Sequence, residues 1–174
     1  MRGVTAMIAA MAALQTSPAS AEVVDRAQGG FVIRHQLAVD APPATLWGAL
    51  VHPARWWGSP HTYSGDAANL RLDVHPGGCW CEALPMGGGV EHMRVLYVQP
   101  GERLRMTGGL GPLQTIAVIG VLEVLIAPMG DGSVLTVTYS VGGYAPAGLQ
   151  QLAGPVDQVL GDQVARLKAV AEVK

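Results

Sequence analysis

Charge is scarce in this chain of 174 residues. Only 14% of the residues are charged, the formal net charge is −2, and neither sign forms a run. A grip on nucleic acid or on an anionic membrane needs a basic stripe, so neither is an expected partner. Cysteine is equally scarce: the two present stand as Cys79-Trp80-Cys81. There is no C-x-x-C pair and no H-E-x-x-H, and a zinc centre built on these thiols would have to recruit His75 and His92. No G-x-S-x-G elbow occurs, which removes hydrolysis through an activated serine. Gly87-Gly88-Gly89 is followed by neither a Lys nor a helix start, so it is no phosphate cradle. Aromatics make up 5%, although four of them are Trp.

What the chain has is apolar material, 49% of its residues, with 23 Gly and 12 Pro. That supplies one sizeable core crossed by many tight turns. Residues 1–21 have the grammar of a secretory signal peptide. Met1 and Arg2 give a positive start, residues 4–14 an uncharged apolar run, Pro18 a helix break, and Ala19-Ser20-Ala21 a small-x-small cleavage site. The run is too short to span a bilayer. The expected mature chain starts at Glu22, has no stable membrane anchor, and works in a periplasmic or secreted, oxidising setting.

Residues 22–30 show no period and are expected to be a loose lead-in. Residues 31–39 alternate, with Phe31, Ile33, His35 and Leu37 on one face, which predicts a half-buried strand. Asp40 to Pro43 opens a helix over residues 44–51, and Pro53 ends it. Strand patterns follow at 70–74, 79–84, 90–98, 102–107, 115–127 and 133–141. The turns Pro76-Gly77-Gly78, Pro100-Gly101 and Asp131-Gly132 separate them. The period then changes. Leu149, Leu152, Val156, Val159, Leu160, Val164, Leu167 and Val170 recur at helical spacing, predicting one long amphipathic helix from about Pro155. The fold class is α+β: a curved antiparallel sheet of about seven strands needing a helix to cover its apolar face.

The stretch 31–172 resembles the START-like (helix-grip) superfamily. Within it the chain is similar to the group named for the activator of the heat-shock-protein-90 ATPase. The matching pieces are Val39-Asp40-Ala41-Pro42-Pro43, Pro53-Ala54-Arg55-Trp56-Trp57-Gly58, Pro76-Gly77-Gly78, the hairpin from Val95 to Leu104, and Gly130-Asp131-Gly132-Ser133. The resemblance implies a sheet wrapped around the C-terminal helix, with a ligand cavity between them. It fixes no activity, because this fold hosts carriers, cyclases, hydratases and co-chaperones. A cytosolic co-chaperone role fits poorly with an exported chain.

On that fold the candidate ligand-binding residues are His35, Leu72, Trp80, Glu82, Met93, Tyr97, Met106, Leu122, Val137 and Tyr139. They form an apolar wall with a few orienting polar groups, and the ligand class is a small hydrophobic molecule. The alternative is a packed core. Glu82 either points inward with Trp80 or sits at the rim. An inward Glu82 would need a partner, and a Glu82–His35 pair would supply acid–base chemistry to a cyclase or hydratase. Cys79 and Cys81 lie on one side of a strand, about 6.6–6.8 Å apart at Cα in ideal geometry, and three states stay open: two thiols, a disulfide, or a metal site. Trp56-Trp57 either pins a loop or gates a cavity. The function expected is that of a carrier or sensor of a lipid-like or aromatic molecule, without a cofactor. The alternatives are the acid–base enzyme and an envelope interaction module using residues 56–69.

Overall fold

The alternation at 31–39 and 133–141 becomes two long paired strands in the computed structural model, which describes residues 20–173. The elements are β1 (Ser20–Ala27), β2 (Gly30–Val39), α1 (Pro43–Leu50), β3 (Leu70–Leu72), β4 (Cys79–Ala83), β5 (Gly89–Gln99), β6 (Arg103–Gly108), β7 (Ala117–Met129), β8 (Gly132–Tyr144) and α2 (Ala153–Ala171). All eight strands form one curved antiparallel sheet in the order β1-β2-β8-β7-β6-β5-β4-β3. Helix α2 packs against α1 and the β1–β2 end of the sheet. This is the helix-grip arrangement, with one strand more than expected. The extra strand is β1. Its residues lack alternation, yet their backbone pairs with β2 from Ser20↔Gln36 to Ala27↔Gly30. The expected lead-in is thus a sheet edge. The proposed leader lies outside the described residues except at its last two positions.

Strand alternation is strict where both neighbours are long. In β8, Leu135, Val137, Tyr139 and Val141 are buried and the residues between them are not. The outer-face threonines and serines keep that strand's other side wettable. Helix α2 starts two residues before the expected point, with Pro155 in its first turn, where no helical N–H bond is lost. Its inward stripe is Leu160, Gln163, Val164, Leu167 and Ala171. Lys168 at its far end donates to Ala38 O (2.9 Å), and Glu172 accepts from Asp40 N (2.7 Å), tying the helix to the end of β2.

Two irregularities in β5 break the alternation. Trp80 pairs with Met93 but Cys81 with Glu91, so His92 is an extra residue bulged into the strand. Val95 pairs with Met106 but Tyr97 with Arg105, so Leu96 is a second one. The first bulge turns His92 and Met93 inward together. The second rotates Tyr97 out to 41% exposure, where its ring lies 5.8 Å from the Arg105 guanidinium and its hydroxyl donates to Gln99. Tyr97 is therefore not a cavity residue.

Candidate functional site

Between α2 and the sheet, the expected internal cavity has shrunk to a chamber of about 20 Å³. That is room for about one water molecule. Leu72, Trp80, Met106, Leu122 and Val137 line it, as expected for ligand-facing residues. Three indoles fill the remaining space: Trp56, Trp57 and Trp80 have ring centroids 4.9–6.2 Å apart. Trp56 donates to Leu50 O (3.2 Å) and Trp57 to His61 O (2.9 Å), so this pair does pin its loop. Gln163 of α2 holds the same loop, its Oε1 accepting from Gly58 N at 2.7 Å. Met93 is fully buried but belongs to the core rather than to the chamber wall.

A larger space opens beside the chamber. A cleft of about 510 Å³ lies between the loop Trp57–Tyr63, residues 110–115 and the first turns of α2. Leu152, Pro155, Val156, Val159 and Leu160 form its helical wall. His61, Thr62, Tyr63 and Thr115 are its polar members. Tyr63 Oη donates to Gly111 O at 3.0 Å, joining the two lips. Trp57 and Leu160 border both chamber and cleft and form the partition between them. The sequence reading missed this cleft because its loops carry no periodicity. Its trace in the sequence is the apolar spacing of Leu152, Val156, Val159 and Leu160 around the start of α2, residues that line the cleft.

The polar candidates inside the grip are all committed elsewhere. Glu82 does point inward with Trp80 and is 1% exposed. Its carboxylate does not reach His35 in an acid–base pair. It accepts from Tyr63 N (3.1 Å), Ser64 N and His92 Nε2 (2.9 Å). Burial raises the carboxyl's pKa. The hydrogen bonds from Ser64, Tyr63 and His92 outweigh that, leaving it below the usual carboxylate value. His35 lies on the same inner face but far across the sheet on β2, with Nε2 2.9 Å from Asp157 Oδ1 on α2 but off the hydrogen-bond direction. Tyr139, fully buried, donates to Gly108 O and accepts from Leu110 N, both at 3.3 Å, and burial pushes its phenol up to about 12. It braces the cleft's far lip instead of facing ligand. The proposed catalytic constellation of Glu82, His35 and a Tyr is thus not assembled.

His92 is the partner that sequence reasoning passed over. Burial holds its pKa below the ordinary 6.5 more strongly than the Glu82 carboxylate raises it. Neutral at pH 7, it donates to Glu82 from Nε2, since a carboxylate can only accept. Its folded value is depressed, so the associated stability is full above pH 6.5 and is lost as pH falls below it; Glu82 adds a second loss below 4.5. Chemical denaturation should show stability falling as pH drops below 6.5 in the parent protein. His92→Gln, which keeps an N–H donor without titrating, should flatten that step and leave the one below pH 4.5.

Cys79 and Cys81 form a disulfide, their Cα atoms drawn to 5.3 Å opposite the first β5 bulge. The local kink brings them within the usual disulfide range. Among the described residues no cluster of three or more His, Cys, Asp or Glu is placed to hold a metal ion.

Residues 40–172 match the family model described as Activator of Hsp90 ATPase homolog 1-like protein. The chain belongs to that family. Solved structures of the same fold include protein CV1439 from Chromobacterium violaceum, with 20% identity and a TM-score of 0.58 over 82% of this chain and 98% of that one. An uncharacterised protein from Rhizobium leguminosarum has 19% identity and a TM-score of 0.62 over 90% and 99% of the two chains. CalU16 from Micromonospora echinospora has 16% identity and a TM-score of 0.52 over 90% and 92%. At these identities the likeness is one of fold. No curated protein matches the sequence.

Proposed function

We propose that this Activator of Hsp90 ATPase homolog 1-like family member is an exported carrier or sensor that holds a small hydrophobic molecule in the cleft beside α2. The observation carrying this reading is the cleft itself. Its 510 Å³ lies within the range of small-molecule sites, and its walls are mostly Trp, Leu, Val and Pro. The dispersal of Glu82, His35 and Tyr139 into structural roles favours binding over acid–base catalysis. Export draws its support from the leader-like residues 1–21 and from the Cys79–Cys81 bond, which suits an oxidising compartment.

Native mass spectrometry of the protein purified from the cell envelope tests both parts. The expected species starts at Glu22 and carries a reproducible adduct that is lost on denaturation. Val159→Arg, placed on the half-exposed cleft wall, should lose the adduct while melting within a few degrees of the parent. A clean apo mass for the parent would sink the carrier reading. A chain retaining residues 1–21 in the cytosolic fraction would sink export.

A further inference from the structure

Two residues that line the inner chamber carry buried donors with nothing to bond. Trp80 Nε1 and Gln163 Nε2 have no hydrogen-bond partner, although their residues are 3% and 1% exposed and both line the chamber. The Gln163 amide is not free to turn round. Its Oε1 is fixed by Gly58 N at 2.7 Å, so the unbonded end is the N–H end. Buried donors without partners are costly and rare, and two beside one void point to an occupant. The occupant must offer lone pairs, because both groups can only donate.

The chamber also defines what the occupant must lack. Its other lining residues are apolar and include no Arg, Lys or His, so a carboxylate or phosphate would be buried without a counter-charge. Trp80 Nε1 and Gln163 Nε2 are the only unbonded buried polar atoms on its walls among the described residues, and both are donors, so an acceptor with no proton of its own satisfies them with no new polar group left to pair. An uncharged carbonyl oxygen meets every condition: two lone pairs, no proton, no charge.

We infer that the ligand is a neutral carbonyl compound, a ketone, aldehyde or ester, whose oxygen enters the inner chamber between Trp80 and Gln163 while its apolar body occupies the outer cleft. This rests on the cleft being the ligand site. Trp57 and Leu160 border both spaces, so the head group has to pass these two side chains.

The test uses 2-decanone, 2-decanol and decanoate as probes on the full mature protein, with indole N–H resonances as the readout. Trp80→Phe identifies the Trp80 signal by its absence. The expected result is a downfield shift of the Trp80 indole proton on adding 2-decanone, with 2-decanone binding roughly tenfold tighter than 2-decanol and decanoate weaker still. Trp80→Phe should cut 2-decanone affinity about tenfold and 2-decanol affinity much less. Gln163→Leu provides a second variant, with the same loss of ketone preference. If all three probes bind alike and shift only the Trp57 signal, the cleft is a ligand site and the carbonyl inference is overturned. If a bound water keeps contact with the Trp80 proton throughout, the donors serve that water and the inference again fails. If no probe shifts either signal, the cleft reading falls along with it.

Discussion

Glu82→Leu should lower stability by about 4 kcal/mol, a drop in Tm of roughly 10 °C for a chain of this size. The carboxylate accepts three hydrogen bonds in a setting almost without solvent. An apolar replacement leaves the amides of Tyr63 and Ser64 and the His92 ring each without an acceptor, at about 1–3 kcal/mol apiece before relaxation. Glu82→Gln retains one accepting oxygen and should cost about half as much. The effect should also reach the cleft. Tyr63, whose amide Glu82 holds, carries the hydroxyl that joins the two lips through Gly111. Thermal melts give the stability, and hydrogen exchange at residues 61–64 gives the loosening. Unchanged exchange there would show that Glu82 is not what anchors the lip.

The second large effect is expected at Gly78. A Cβ there would stand 1.9 Å from Asp73 O and 2.8 Å from His75 O, both backbone atoms with little freedom to retreat. Gly78→Ala should therefore cost about 3 kcal/mol, at the upper end for overpacking. Gly77 next to it provides the control. Its φ is +83°, but a Cβ there meets nothing within 4 Å, so Gly77→Ala carries only the left-handed backbone cost of about 1 kcal/mol. The two glycines of one turn thus have different reasons. Gly77 reverses the chain. Gly78 lets β4 start tight against the preceding loop, with its carbonyl accepting from Val95 N at 2.8 Å. Since β4 carries Trp80 and Glu82, Gly78→Ala should also broaden the Trp80 indole signal, which Gly77→Ala should leave sharp. Equal losses in the two variants would contradict this division of roles.

Much of this architecture was legible in the residues. The alternation of β2 and β8, the long apolar run of β7, the glycine turns and the helical spacing of α2 are one-dimensional signals of burial, and the structure obeys them. They failed wherever a neighbour overrode the local pattern. β1 has no alternation of its own and exists because β2 offers an unpaired edge. The bulges at His92 and Leu96 move the residues around them to the other face, which brought His92 to Glu82 and carried Tyr97 away. An extra residue in one strand is defined only against its partner, so nothing in β5 alone reveals it. For the site, the sequence supplied much of the chamber wall. It could not show that the indoles nearly close that chamber, nor that loops without periodicity would build the cleft.

The strand order has a further consequence, in time instead of in space. β2 lies between its sequence neighbour β1 and the late strand β8, pairing Phe31 with Val141. A chain made from its N-terminus completes β2 early and its second pairing partner last, and α2 comes after that. The sheet therefore cannot close around its helix until nearly the whole chain is available, and such distant pairing makes folding slow. Until then β2 and β1 have only each other, and a lone hairpin is barely stable in water. Pairing of β2 with β8 and docking of α2 are therefore expected as the late steps of folding.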